Sequence, residues 1–186
     1  MELIEPKDAL EIVTVKLNPG RLTRYGRLLR DLQLAPDGIT PAARFAMGLE
    51  AAGKSDYLEN KDLDHNLGDG AFTSPATVAL ALCTSVPTDA STGATIVEAT
   101  YTGYARKVVE AAALSAAASG SKTNSSALEF AACTAGSSTI IGWALLDSSA
   151  TGAGNALYWG TCTSTVISTT QTPATVAIGG LVVTED

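Results

Sequence analysis

The chain has 186 residues, enough for one ordinary domain plus an extension and too few for two large ones. Hydrophobic residues make up 46%, so a real core can form, while charged residues reach only 17% and aromatics 5%. The formal net charge of −7 lies entirely in residues 57–186, because residues 1–56 hold eight basic and eight acidic side chains. An acidic domain repels phosphate backbones, which argues against direct nucleic-acid binding. No stretch approaches the roughly 18 uninterrupted apolar residues of a membrane span. The acidic opening MELIEPKDALEIV lacks the apolar core of a signal peptide, which leads us to expect a soluble protein made in a cytoplasm.

The sequence changes character near residue 56. Residues 1–56 carry eight of the twelve basic side chains and Pro6, Pro19, Pro36 and Pro41, so no long helix fits. Ala9–Leu17 suits a strand or a short helix. Arg21–Leu34 reads as an amphipathic helix, with Leu22, Tyr25, Leu28, Leu29 and Leu32 at three- and four-residue steps. Thr40–Ala52 reads as a second helix, with Thr40 as N-cap and Pro41 at the first helical position. Two short, interrupted helices bury little surface alone, so residues 1–56 must dock on their own β-domain or on a neighbour; the neighbour is favoured, with residues 1–56 as an extended anchoring arm. Arg21, Arg24, Arg27 and Arg30 recur every third residue and sweep about half the helix circumference. Two readings fit them about equally, a partner-binding clamp for an acidic surface or a solvated face paired with Asp31 and nearby acids; nucleic acid is a third and lesser one, because four arginines on a neutral arm are a small footprint.

From Tyr57 the pattern is β. Tyr57–Leu67 is a last short helix, with Leu58, Leu63 and Leu67 near one face. Strand-like runs follow at Thr77–Thr84, Tyr104–Ala112, Ala127–Cys133, Thr139–Leu146, Ala156–Thr163 and Ala174–Thr184, separated by spacers such as PTDASTG, SGSKTNSS and DSSATGAGN. Short strands between such turns predict a mainly β fold, an antiparallel sandwich over residues 57–186. Helical runs do not alternate with these strands, which argues against a parallel α/β sheet. The Ala-rich 111–119 segment is read as a strand end plus loop.

Little in the chain suggests catalysis. His65 is the one histidine, in a charged helix and without a GxSxG elbow, so a surface or packing role is expected. Asp62, Asp64, His65 and Asp69 do not have the spacing of a calcium loop and read as a solvated helix face. Cys83, Cys133 and Cys162 form no CxxC pair and sit in apolar runs, as buried thiols would. The glycine pairs open no helix and match no phosphate loop. The expectation is a protein with no enzymatic activity, cofactor or metal. Trp143, Tyr158 and Trp159 are candidates for a carbohydrate-binding face, but their apolar setting favours core packing.

Four features in order carry a family resemblance. The first is the helix YLENKDLDHNLG, Tyr57 to Gly68, followed by Ala71–Ala76. The second is the strand VALALCT with Pro87-Thr88-Asp89 and Gly103-Tyr104-Ala105-Arg106. The third is SKTNSSALEF with a strand through Gly142 and Trp143 to Leu146-Asp147, and the fourth is Gly154–Gly160 with the closing Leu181–Thr184. Together they make residues 57–186 resemble small tailed-phage virion proteins labelled tail-fibre or minor head proteins. The resemblance implies a jelly-roll-like sandwich, present in many copies in a virion and without enzyme activity.

On this basis the main expectation is a capsid decoration or cement protein. Its partners would be the major capsid protein or other virion subunits, and it would form a homo-oligomer, a trimer among the candidates. The alternative is a tail, baseplate or fibre component. A carbohydrate-binding module is the third reading.

Overall fold

A computed structural model describes residues 45–47, 49, 53–68, 70–171 and 173–185, a mainly β unit with a single α-helix among those residues. In chain order it contains β1 (Phe45–Ala46), β2 (Gly53–Lys54), α1 (Asp56–Leu67), β3 (Ala79–Cys83) and β4 (Lys107–Val108). A 3₁₀ turn (Ala111–Ala113) follows, then β5 (Ser121–Thr123), β6 (Leu128–Glu129), β7 (Ser137–Leu146), β8 (Ala156–Ser168), β9 (Ala174–Val176) and β10 (Val182–Thr184).

The central sheet has the order β2-β8-β7-β3-β4, and all its pairs are antiparallel. Alternation along β3 explains its unbroken apolar run. Leu80 and Leu82 enter the main core, while Ala81 and Cys83 point to the opposite face beside Ala144 and Leu146. A strand covered on both sides has no position for a polar residue. The N-terminal end of β7 is covered on one face only: Ser137 and Thr139 are exposed while Ser138 and Ile140 are buried. On the main-core side lie two smaller sheets, β1-β9-β6 and β10-β5. They bring Leu128, Phe130, Ala174, Val176 and Leu181 against Leu80, Leu82, Trp143 and Ile167. The mainly β, antiparallel expectation therefore holds, with β1 and β9 as a parallel pair.

Other expectations changed on folding. The helix foreseen over Thr40–Ala52 is replaced, where described, by extended chain: Phe45–Ala46 pairs with β9, and Leu49 bridges Cys162. Helix propensity in this segment loses to burial, because an extended backbone turns both Met47 and Leu49 inward, at 3% and 9% exposure. Met47 also donates its N–H to the Thr175 carbonyl at 2.9 Å. Strands thus begin upstream of Tyr57. The run Ala174–Thr184 divides between two sheets at the turn through Gly179, whose φ of 71° suits glycine. Of Tyr104–Ala112, Lys107–Val108 forms the strand, and of Ala127–Cys133, Leu128–Glu129. Cys83, Cys133 and Cys162 are buried thiols, as the sequence indicates. Arg21, Arg24, Arg27 and Arg30, and both proposed elements before residue 35, lie outside the described residues.

Candidate functional site

Helix α1 owes its position to Ser55. This fully buried residue accepts the Leu58 N–H at 3.2 Å and donates its hydroxyl to the Ala156 carbonyl, tying the cap to β8. Asp56 and Glu59 complement the positive end of the helix, and Gly68 closes the other end at φ 90°. Leu58 is buried, but Leu63 and Leu67 are 57% and 81% exposed. Leu58 is thus the one buried apolar anchor of the helix, which polar contacts at its cap and at Asp62 also hold.

Between α1, the short edge strand β2 and the end of β10 runs a cleft of about 740 Å³. Register fixes its interior: Gly53 lies opposite Trp159, and Lys54 opposite Tyr158. Lys54 reaches Asp62 of α1 at 2.6 Å and Glu185 at 2.5 Å. Its pKa is raised by the hydrogen bonds to Asp62 and Glu185, which outweigh its partial desolvation. Tyr158 donates its hydroxyl to Glu185, and burial followed by that carboxylate pushes its pKa up. The Trp159 indole N–H donates to the Lys54 carbonyl at 3.1 Å. Glu59 and Asn66 of α1 also line the cleft. The cleft thus presents aromatic and hydrogen-bonding groups together. Its paired carboxylates are held by an ammonium.

The three aromatic candidates thus converge, but unequally. Trp143 is 1% exposed and belongs to the core, where its indole N–H donates to the Thr161 carbonyl at 3.0 Å. Tyr158 and Trp159 are half-buried and reach the cleft. Core packing accounts for the first and only partly for the other two. His65 is exposed, and its Nδ1 accepts the Phe72 N–H at 3.3 Å, a local tie to the loop after the helix. Asp62 joins the Lys54 pair, and Asp69 lies outside the described residues. Among the described residues, no three His, Cys, Asp or Glu side chains are grouped to hold a metal.

A second polar constellation, not foreseen as a site, lies under the loop that joins β7 to β8. Arg106 and Glu98 form a buried ion pair there. Tyr104 donates its hydroxyl to Glu98 at 2.8 Å and accepts the Leu82 N–H at 3.1 Å. Arg106 also donates to the carbonyls of Ser148 at 2.9 Å and Ala153 at 2.8 Å. The only hint in the sequence is a Tyr and an Arg two residues apart, just before the apolar Val108–Val109. Asn124 is equally enclosed. It accepts the Leu181 N–H at 2.8 Å and donates to the carbonyls of Ser126 and Ala177, each at 2.8 Å. These groups bracket loops.

Residues 53–184 match the family model described as Podophage GP4 fiber I protein gp80. The match begins at β2 and ends at β10, so it takes in every wall of the cleft except Glu185. No curated protein matches the chain.

Proposed function

The chain belongs to the Podophage GP4 fiber I protein gp80 family, a virion-associated phage fibre family, and on that premise we propose that it is a structural component of a tail fibre. The observation that carries this reading is the extent of the match, which takes in nearly all of the β unit. It favours the tail-fibre alternative over capsid decoration, the main expectation from the sequence.

In this role the chain acts without catalysis and binds other virion subunits, in several copies per particle. The buried polar groups support such a role. Glu98, Arg106 and Asn124 are spent on holding loops to a doubly covered sheet, which suits a part that must keep its shape under load. The test is localisation on intact virions by gold-labelled antibody or image reconstruction. Label along the tail or its fibres is expected, and label confined to the head surface would overturn the reading.

A further inference from the structure

We propose that an apolar cavity between the central sheet and the β10-β5 sheet binds a single-chain aliphatic carboxylate. Three observations converge on it, and none depends on the fibre reading.

The first is an unfilled space with apolar walls. Val78, Val109, Leu145 and Leu157 line it from the central sheet, and Leu181 and Val183 line it from the other side. The register agrees. Val109 donates its N–H to the Val78 carbonyl at 2.8 Å, and Leu145 lies opposite Tyr158, which also lines the space. The Tyr158 hydroxyl is already spent on Glu185. A water molecule inside would lack the several polar partners it needs, so an apolar occupant gains contacts that water cannot replace. The volume of about 300 Å³ is about twice the roughly 150 Å³ that admits a benzene ring, which is room for one chain of about ten carbons.

The second observation is the rim. The Ala-rich run after β4 forms one arm of a tight hairpin with β5. Ala118 and Ser121 exchange N–H···O bonds at 2.9 and 3.0 Å around Ser119 and Gly120, whose φ angles are 50° and 70°. This arm brings Leu114, Ala117 and Gly120 to the cavity. Ala117 and Gly120 are exposed, so the cavity opens to solvent beside them, and side chains this small leave its mouth unplugged. The third is charge at that mouth. Lys122 lies directly opposite Val183, so the two share the face turned to the main core, and both line the cavity. Lys122 is nevertheless exposed; a lysine so placed lays its aliphatic stem along the wall and keeps its ammonium in water. Among the described residues it belongs to no ion pair, whereas Glu185 at the same rim is engaged by Lys54. An aliphatic chain with a carboxylate head satisfies both the walls and the free ammonium, and one with a cationic head does not.

The experiment titrates full-length protein calorimetrically with decanoate, kept below its micelle concentration. Saturable binding of one molecule per chain is expected. Decyltrimethylammonium is expected to bind about tenfold more weakly, because it loses the ion pair and meets repulsion instead. Ala117→Phe plugs the mouth and is expected to abolish decanoate binding with no fall in the unfolding midpoint. Lys122→Gln, a change at an exposed side chain, is expected to weaken decanoate severalfold and to erase the preference over the cation. Vesicles of anionic phospholipid are expected not to bind, since the cavity admits one chain. Absence of saturable decanoate binding overturns the proposal. So does full binding by a folded Ala117→Phe variant, an undiminished preference in Lys122→Gln, or binding to the vesicles alone.

Discussion

The guanidinium of Arg106 meets the carboxylate of Glu98 at 2.8 Å inside the fold, with side-chain exposures of 0% and 6%. Each partner satisfies the other, and the arginine has donors left over for the Ser148, Ala153 and Gly93 carbonyls. Three chain segments therefore converge on one cation. Replacing one member strands the other charge away from water, so Arg106→Met or Glu98→Gln is expected to lower stability by about 3–5 kcal/mol. The double variant is expected to recover only part, because those carbonyls stay unpaired. Urea unfolding of the two single variants and the double variant measures this, and losses below about 1 kcal/mol in both singles contradict it.

Asn124 is a neutral counterpart. Its side chain stands in for a partner strand between the chain at Ser126 and the turn from Ala177 to Leu181. Asn124→Ala leaves buried backbone groups without partners and is expected to cost about 2–3 kcal/mol. Faster amide exchange at Leu181 than at β7 would localise the damage to that turn.

These two brackets show which parts of the fold were legible in the sequence. Elements such as α1, β3, β7 and β8 announce themselves through length, apolar runs and the turn residues between them. Tyr104, Arg106 and Asn124 all sit inside the stretches that carried the family resemblance, yet nothing local reveals that they face inward. Their partners lie far along the chain: Ser148 and Ala153 for Arg106, Ala177 and Leu181 for Asn124. The extended chain around Met47 was hidden for a related reason, since its pairing with β9 is supplied by tertiary contact. The cleft was half legible. Its aromatics stood out, but the pairing of Lys54 with Tyr158 depends on a strand register that spacing cannot give.

Alkaline conditions should weaken the fold. Burial, reinforced by the Glu98 charge, raises the Cys83 thiol from 9.0 to about 12, and burial raises Tyr101 from 10.0 to about 12. Both groups are protonated in the folded and unfolded chains at neutral pH, so their contribution is complete below about pH 9. As pH climbs towards 12 the unfolded chain ionises first, and that stability is lost, on the order of a few kcal/mol in total. Unfolding midpoints should hold steady from pH 7 to 9 and fall between 9 and 12. A midpoint unchanged at pH 11 contradicts this.

Close approach at Gly93 gives a sharper steric test. A Cβ there would lie 1.9 Å from the Ala153 carbonyl oxygen, which is also an Arg106 acceptor. Gly93→Ala must push this loop away and is expected to cost at least about 2 kcal/mol. Ser55→Ala removes the α1 cap and its tie to β8, for about 1–2 kcal/mol by the same unfolding measurement.

The edge strand β2 has a kinetic consequence. It pairs with β8, and β1 pairs with β9, so the earliest described strands find no partner until the last third of the chain has been made. β3 finds β4 soon after it is made, but its other edge waits for β7. Contacts this distant close slowly, because a long loop must be ordered before any pairing rewards it. During synthesis the apolar ALALC run keeps one edge unpaired until then. The newly made chain thus passes through a sticky interval, in which many copies translated together compete between folding and association.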